Sequence, residues 1–437
     1  MMFRAVFTAA ILGLASTMPA RAIDIQEITS PGGIHAWLVE DHSIPFTALS
    51  IAFKGGASLD PADTRGAINL MTGLLEEGAG ERDATQFAEA VEGTGATFDF
   101  DVSDDALTVE VKLLTDTRDK AAHLLTDALT HPRFDDDAVD RVRGQVEAII
   151  RSEDSDPNAI ARKALAQATW GDHPYGSSIN GTLDSVAALT ADDLRSAKDR
   201  VMARDRVIVA ASGDISAADL GMLIDQILGD LPESASAPLP PEVTPVLTGD
   251  VTVTEWNSPQ TVVAFAQPGI SMKDPDFFPA YVANYILGGG GFSSRLTDEL
   301  REKRGLTYGI GTGLANGLFG DLWAGGMASA NGKVAEGIEL IRQQWALMRD
   351  GVTEQELADA KTYLTGEYPL RFDGNVKIAR ILAGMQIMDL PTDYVNTRNA
   401  EIEAVTAEDV QRVSARLLDP EKLRFVLVGQ PEGLPAD

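Results

Sequence analysis

Few residues in this chain are placed to do chemistry. It has no cysteine, so thiol catalysis, disulfides and cysteine-held zinc or iron–sulfur centres are excluded. Of its five histidines (His35, His42, His123, His131 and His173), no two lie three to five residues apart, the spacing that lets one helix offer two imidazoles to one metal. No Gly-x-Ser-x-Gly elbow is present, so a serine hydrolase has no support. What remains is a segment in the second half. It reads Gly288-Gly289-Gly290-Gly291-Phe292-Ser293-Ser294-Arg295-Leu296, then Glu299-Leu300-Arg301-Glu302-Lys303-Arg304-Gly305-Leu306-Thr307-Tyr308. Four consecutive glycines could cradle a phosphate, but no Lys-Ser or Lys-Thr follows, as a P-loop requires. A flexible turn is the better reading. On their own, Arg301 and Tyr308 read as a helix-end ion pair and a ring packed under a strand.

The elements that must hold this segment are mixed. Thr47 to Phe53 and Ala106 to Leu113 alternate with a period of two, as strands with one wet face do. Thr261 to Gln267 also reads as a strand. Arg118 to Leu129 and Lys333 to Met348 carry helical periodicity. Strands in pairs followed by helices and further strands predict an α+β fold, with antiparallel-rich sheets and helices on one face, rather than a doubly wound parallel sheet.

The chain also contains a duplication. Residues 188–213 align with 404–429 at a constant offset of 216; six of the 26 positions are identical, including Arg200 with Arg416 and Gly213 with Gly429. In both copies a Thr (Thr190, Thr406) caps a helix with an acidic first turn, which the helix dipole favours. Each helix leads into an apolar strand that ends at or near Gly. The stretch Ser234 to Pro245 is rich in Pro and small residues and reads as an extended linker. The expected organisation is two copies of one domain, at 23–233 and 249–437, joined by a linker at 234–248.

The N-terminus starts Met1-Met2-Phe3-Arg4, runs through an apolar stretch and reaches Ala20-Arg21-Ala22. This pattern predicts a secretory signal peptide, 1–22, cleaved after Ala22, and a mature protein exported to a bacterial periplasm. No later stretch is long and apolar enough for a membrane span. The formal charge is −30, and losing the signal's Arg4 and Arg21 makes it −32. Such a surface repels nucleic acid and anionic lipid and favours basic peptides.

Two segments carry a family resemblance. Phe53 to Ser58, the turn Asp60-Pro61-Ala62-Asp63 and Arg65 to Gly78 resemble the opening of the pitrilysin/insulinase family of zinc peptidases. Ser294 to Tyr308 resembles the family's second-half motif, in which six residues separate an Arg from a Tyr, as they do Arg301 from Tyr308. In that family the first segment forms a helix bearing His-x-x-Glu-His, which holds zinc and its activating base. Here those positions read Asn69, Thr72 and Gly73. The family's third ligand, a Glu, would fall near Ile149, with Glu147 and Glu153 close by.

The resemblance implies two homologous halves closing as a clamshell. It implies that Tyr308 donates to the scissile carbonyl oxygen and that Arg301 clamps the substrate backbone. It also implies that Gly288, Gly289, Gly290 and Gly291 form a turn beside a peptide channel, and that substrate adds as a strand to a sheet edge. The chain itself should bind no metal. Zinc is expected in a homologous partner carrying His-x-x-Glu-His, as in two-chain relatives of mitochondrial processing peptidase. The expected function is therefore the non-metal subunit of a heterodimeric periplasmic zinc peptidase acting on peptides. The alternatives are an inert scaffold or peptide-binding protein of the same fold, and a stand-alone metallopeptidase with another ligand set.

Overall fold

A computed structural model describes residues 23–245 and 247–434. The expected signal peptide, 1–22, lies outside the described residues. The first sheet contains β1 (Gln26–Thr29), β2 (His35–Glu40), β3 (Phe46–Lys54), β4 (Thr97–Val102), β5 (Ala106–Leu114) and β6 (Val207–Gly213), in the order β1-β2-β6-β3-β5-β4. The second contains β7 (Val251–Glu255), β8 (Gln260–Pro268), β9 (Thr307–Asn316), β10 (Asp321–Ala330) and β11 (Arg424–Gly429), in the order β9-β10-β8-β11-β7. Apart from the edge strand β1, the two sheets have one topology. In each, the first strand of the set pairs parallel with the last, β2 with β6 and β7 with β11, and the other pairings are antiparallel.

The aligned repeat occupies equivalent places. Thr190 and Thr406 both form reciprocal caps, with Asp193 and Asp409. The following strands, β6 and β11, end at Gly213 and Gly429. A Cβ on Gly213 would come within 2.3 Å of the Phe46 carbonyl oxygen, and one on Gly429 within 2.3 Å of Thr261 Oγ1. The glycine is shared because the neighbouring strand leaves no room for a side chain.

Each half packs its own helices on one sheet face. The first core joins Leu49, Ile51, Phe53, Val109 and Val209 to the helices of residues 67–153 and 183–228. The second joins Val263, Phe265, Trp323 and Phe425 to helices from 277 onward, Trp345 among their residues.

The opposite faces are not wet, contrary to the expectation for β3. Helix Asn375–Ile387, from the second half, lies on the first sheet, where Leu382, Ala383 and Met385 meet Ala52, Ala106, Ile208 and Ala210. Helix Pro157–Trp170, from the first half, lies on the second sheet, where Ala161 and Leu165 meet Ala264, Ala266, Val426 and Val428. Small side chains on these faces let a helix approach closely, and each contact removes apolar surface from water at about 25 cal/mol per Å². The halves thus exchange one helix each, and the central strands of both sheets are covered on both sides.

Polar contacts fix the exchange. Ser212 Oγ donates to Asn375 Oδ1 at 3.1 Å, Gln386 Nε2 donates to the Val209 carbonyl at 3.0 Å, and Asp389 pairs with both Lys54 (2.8 Å) and Lys273 (2.9 Å). At a second seam Trp170, His173 and Tyr175 pack with Phe319 of the other half. His173 there shapes a turn, its Nδ1 accepting from the Tyr175 amide at 3.2 Å. Residues 234–245 carry no helix or strand and run along this seam, the Val243 amide donating to the Phe319 carbonyl at 2.7 Å. No helix of the described residues is long and apolar enough to cross a membrane.

Candidate functional site

The second-half segment divides into residues that build and residues that are presented. Leu296 and Leu300 are buried in the core and anchor the turn Thr297–Glu302. Arg295 forks onto Glu356, with Nε–Oε1 at 2.6 Å and Nη2–Oε2 at 2.8 Å. This guanidinium draws the Glu356 carboxyl down to about 2, against the cost of burial. Glu299 is held by Lys303 and Arg304. The backbone itself is unusual. Both Tyr285–Gly289 and Thr297–Glu302 are wide π-turns, of the kind found often at functional sites.

The glycines do not form the flexible turn expected of them. Gly288 is buried, and a Cβ there would lie 2.5 Å from Thr312 Oγ1 of β9. A Cβ on Gly289 would meet Asn284 Nδ2 at 2.7 Å, and one on Gly290 the Tyr285 carbonyl oxygen at 2.8 Å. Gly288 thus lets the turn pack closely on β9, while Gly289 and Gly290 leave room for the preceding residues Asn284 and Tyr285. Gly291, with φ of 55°, is the one of the four with open space around it.

What this scaffold presents is a stack of three side chains. The Arg301 guanidinium carbon lies 4.5 Å from the Phe292 ring centroid and 4.9 Å from that of Tyr308. Tyr308 is 87% exposed and Phe292 72% exposed. Arg301 also contacts Glu302 at 3.3 Å. A β-bulge explains the pose of Tyr308. Thr307 pairs with Ser329 and Ile310 with Met327, so β9 carries one extra residue there and turns Tyr308 out of the ladder. The ring is therefore not packed under a strand. Between two aromatic faces the guanidinium is held by cation–π attraction while its N–H edge stays free to donate. Phe292 was not singled out in the sequence; its place beside the glycines was the available signal.

The first-half segment is the reverse. Helix Ala67–Thr72 starts at the buried carboxylate of Asp60, which accepts from the amides of Gly66 (3.0 Å) and Ile68 (3.2 Å) and pairs with Arg200 (3.2 Å). Burial raises the Asp60 pKa despite these partners. Asn69 Nδ2 donates to Asn180 Oδ1 at 2.9 Å, Asn180 Nδ2 donates to Glu153 Oε1 at 2.9 Å, and Glu153 pairs with Lys163 at 3.0 Å. Thr72 Oγ1 donates to the Ile68 carbonyl at 2.7 Å, and Gly73 offers no side chain.

Zinc takes thiolate, imidazole or carboxylate. Here two amides are bonded to each other and the single carboxylate is neutralised by a lysine, so these residues do not fit the ion. Among the described residues no cluster of three His, Cys, Asp or Glu could hold a metal. The carboxylate that reaches this site is Glu153. Glu147 pairs instead with Arg151 at 2.8 Å, and Ile149 is 48% exposed.

The sheet edges lie elsewhere than at the strand read near the glycines. β8, which contains Thr261 to Gln267, is interior, paired on both sides by β10 and β11. The free edge of the first sheet beyond β5 is β4, with Asp99 and Asp101 along it and Glu76 close to Asp99. Burial, then the charges of Asp99 and Glu77, raise the Glu76 pKa. This edge is acidic.

Comparison with known proteins gives a consistent picture. Residues 36–183 match the family model described as "Insulinase (Peptidase family M16)", and 188–364 match "Peptidase M16 inactive domain". A protein of Helicobacter pylori named a non-peptidase homolog is 24% identical over 421 residues, 96% of each chain. An uncharacterized zinc protease of Streptomyces coelicolor is 26% identical over 408 residues, 90% of this chain and 87% of that one. A probable mitochondrial-processing peptidase subunit beta of Schizosaccharomyces pombe is 25% identical over 425 residues, 90% of this chain and 89% of that one. The crystal structure of a peptidase M16 inactive domain from Pseudomonas fluorescens superposes with a TM-score of 0.87 at 28% identity, covering 94% of this chain and 99% of that one.

Proposed function

Because the chain belongs to the M16 peptidase family, we propose that it is the non-metal subunit of a two-chain zinc peptidase exported to the periplasm. The observation that carries this reading is the contrast between its sites. The ligand positions Asn69, Thr72 and Gly73 hold no metal ligands, while Arg301 and Tyr308 are presented outward. A homologous partner bearing His-x-x-Glu-His would supply zinc and base. Peptide would lie along acidic β4, which suits basic sequences. Gly291, the open end of the glycine run, would allow its backbone to pass. The Tyr308 hydroxyl would donate to the carbonyl oxygen as negative charge builds on it. The Arg301 fork would hold an adjacent peptide carbonyl. The relative named as a subunit supports assembly with a second chain.

The test is reconstitution. Mixed with its partner, the protein should give peptidase activity that neither chain shows alone. Tyr308→Phe should lower kcat by on the order of 100-fold, the usual loss of one oxyanion donor, without loosening assembly. Unchanged turnover would end the catalytic assignment. It would favour the second reading, an inert scaffold, for which the relative named a non-peptidase homolog speaks.

A further inference from the structure

A cavity of about 440 Å³, whose lining includes neither Arg301 nor Tyr308, is walled by helix Phe277–Asn284, β9, the turn Tyr368–Phe372, the exchanged helix Asn375–Ile387 and helix Tyr394–Ala404. Its lining includes Phe278, Tyr281, Tyr368, Tyr394 and Met385 and contains no Asp or Glu, in a protein of net charge −30. At its base is Arg398, only 4% exposed.

Four charged residues among those described are buried: Asp60, Arg65, Asp276 and Arg398. Asp60 is paired with Arg200, Arg65 with Asp104, and Asp276 with Arg412 and Arg416. Arg398 has no carboxylate. Its Nη1 donates to the Leu364 carbonyl (3.1 Å) and Asn399 Oδ1 (3.0 Å), its Nη2 to the Tyr281 hydroxyl (3.4 Å), and its guanidinium carbon lies 4.2 Å from the Tyr368 ring centroid. A guanidinium cannot shed its proton, so an unpaired one in an apolar site keeps an uncompensated charge. The second cation of the lining, Arg371, is already paired with Glu367 at 2.6 Å.

We infer that this cavity is a binding site for an apolar monocarboxylate, whose carboxylate supplies the charge partner that Arg398 lacks and whose hydrocarbon or aromatic body fills the ring-lined space. The planar fork of Arg398 matches a carboxylate. Burial pushes the Tyr368 hydroxyl up to about 12, which keeps it a proton donor beside that anion. The volume suits one terminal residue of a peptide or a medium-chain fatty acid, which share this chemistry.

The experiment is calorimetric titration of the full isolated chain and needs neither partner nor turnover, so its outcome is independent of the proposed peptidase role. The probes are N-acetylphenylalanine against its amide, and decanoate against decanol. The expected result is that one acid binds at least tenfold more tightly than its neutral counterpart. The tighter acid identifies the source, peptide end or lipid. Arg398→Met should remove that preference at least tenfold. Gly384→Leu is the second variant. Gly384 lines the cavity, a Cβ there finds nothing within 4 Å, and leucine suits a helix better than glycine. It should fill the space and abolish binding with the fold intact. Equal affinity for acid and neutral probe, no binding at millimolar concentration, or binding undiminished in Gly384→Leu would overturn the inference.

Discussion

The two halves share one topology, yet the candidate sites they carry have gone opposite ways. Around Asn69 the polar side chains have turned toward each other, amide to amide to carboxylate to ammonium, and are closed to anything else. Around Arg301 they have turned outward, with two large rings left largely in water. The first arrangement stabilises the fold, because a buried polar group with its partners made costs little. The second gives folding almost nothing, since exposed Tyr308 and Phe292 recover little apolar burial. A feature that folding does not explain is where function is to be sought.

The largest expected effect breaks the outward site. Arg301→Ala should lower turnover of the reconstituted pair by about 100-fold or more, with thermal unfolding of the isolated chain shifted by no more than about 0.5 kcal/mol, as for other surface changes. A large loss of stability with normal turnover would reverse the roles of the two sites. Asn180→Ala breaks the inward site. It leaves the Asn69 amide and the Glu153 carboxylate each short of a partner, and denaturant unfolding should show about 1–3 kcal/mol lost. Activity of the assembled pair should follow only the loss of folded protein.

The smallest effect sharpens the boundary between scaffold and site. Glu356 titrates at about 2 rather than the ordinary 4.5. Its folded pKa is depressed, so the Arg295 pair stabilises above pH 4.5, and that contribution is lost as pH falls through about 2. Glu356→Gln should remove this part of the acid dependence and cost ~1 kcal/mol at neutral pH, the pair being partly exposed. Stability followed by circular dichroism between pH 2 and 7 checks it; a variant with the parent's acid profile would refute the pairing.

Much of this was legible in the sequence. Thr190 and Thr406, followed three residues later by Asp193 and Asp409, are local signals, and local signals survive in one dimension. The spacing of Arg301 and Tyr308 is likewise local. Contacts between distant residues left no such trace. Asn69 meets Asn180 across 111 positions. The bulge that turns out Tyr308 depends on the register of β9 against β10. The wet face read for β3 was an error of the same origin. Ala48, Ser50 and Ala52 alternate with Leu49, Ile51 and Phe53, and small residues there look like a weakly apolar outer face. They are instead a seat for a helix that arrives more than 320 residues later. A stripe of alanines on alternate strand positions, repeated at Ala264 and Ala266, was the clue.

The helix exchange has one further consequence. Each half carries, on its own backbone, a piece that completes the other, so the protein is interlocked rather than merely hinged. Opening the chain by protease within 238–241 should leave a nicked particle that still migrates as one species on gel filtration. A fragment ending there would lack the cover for Ala52 and Ala210 and would tend to bury that bared apolar face against another copy of itself.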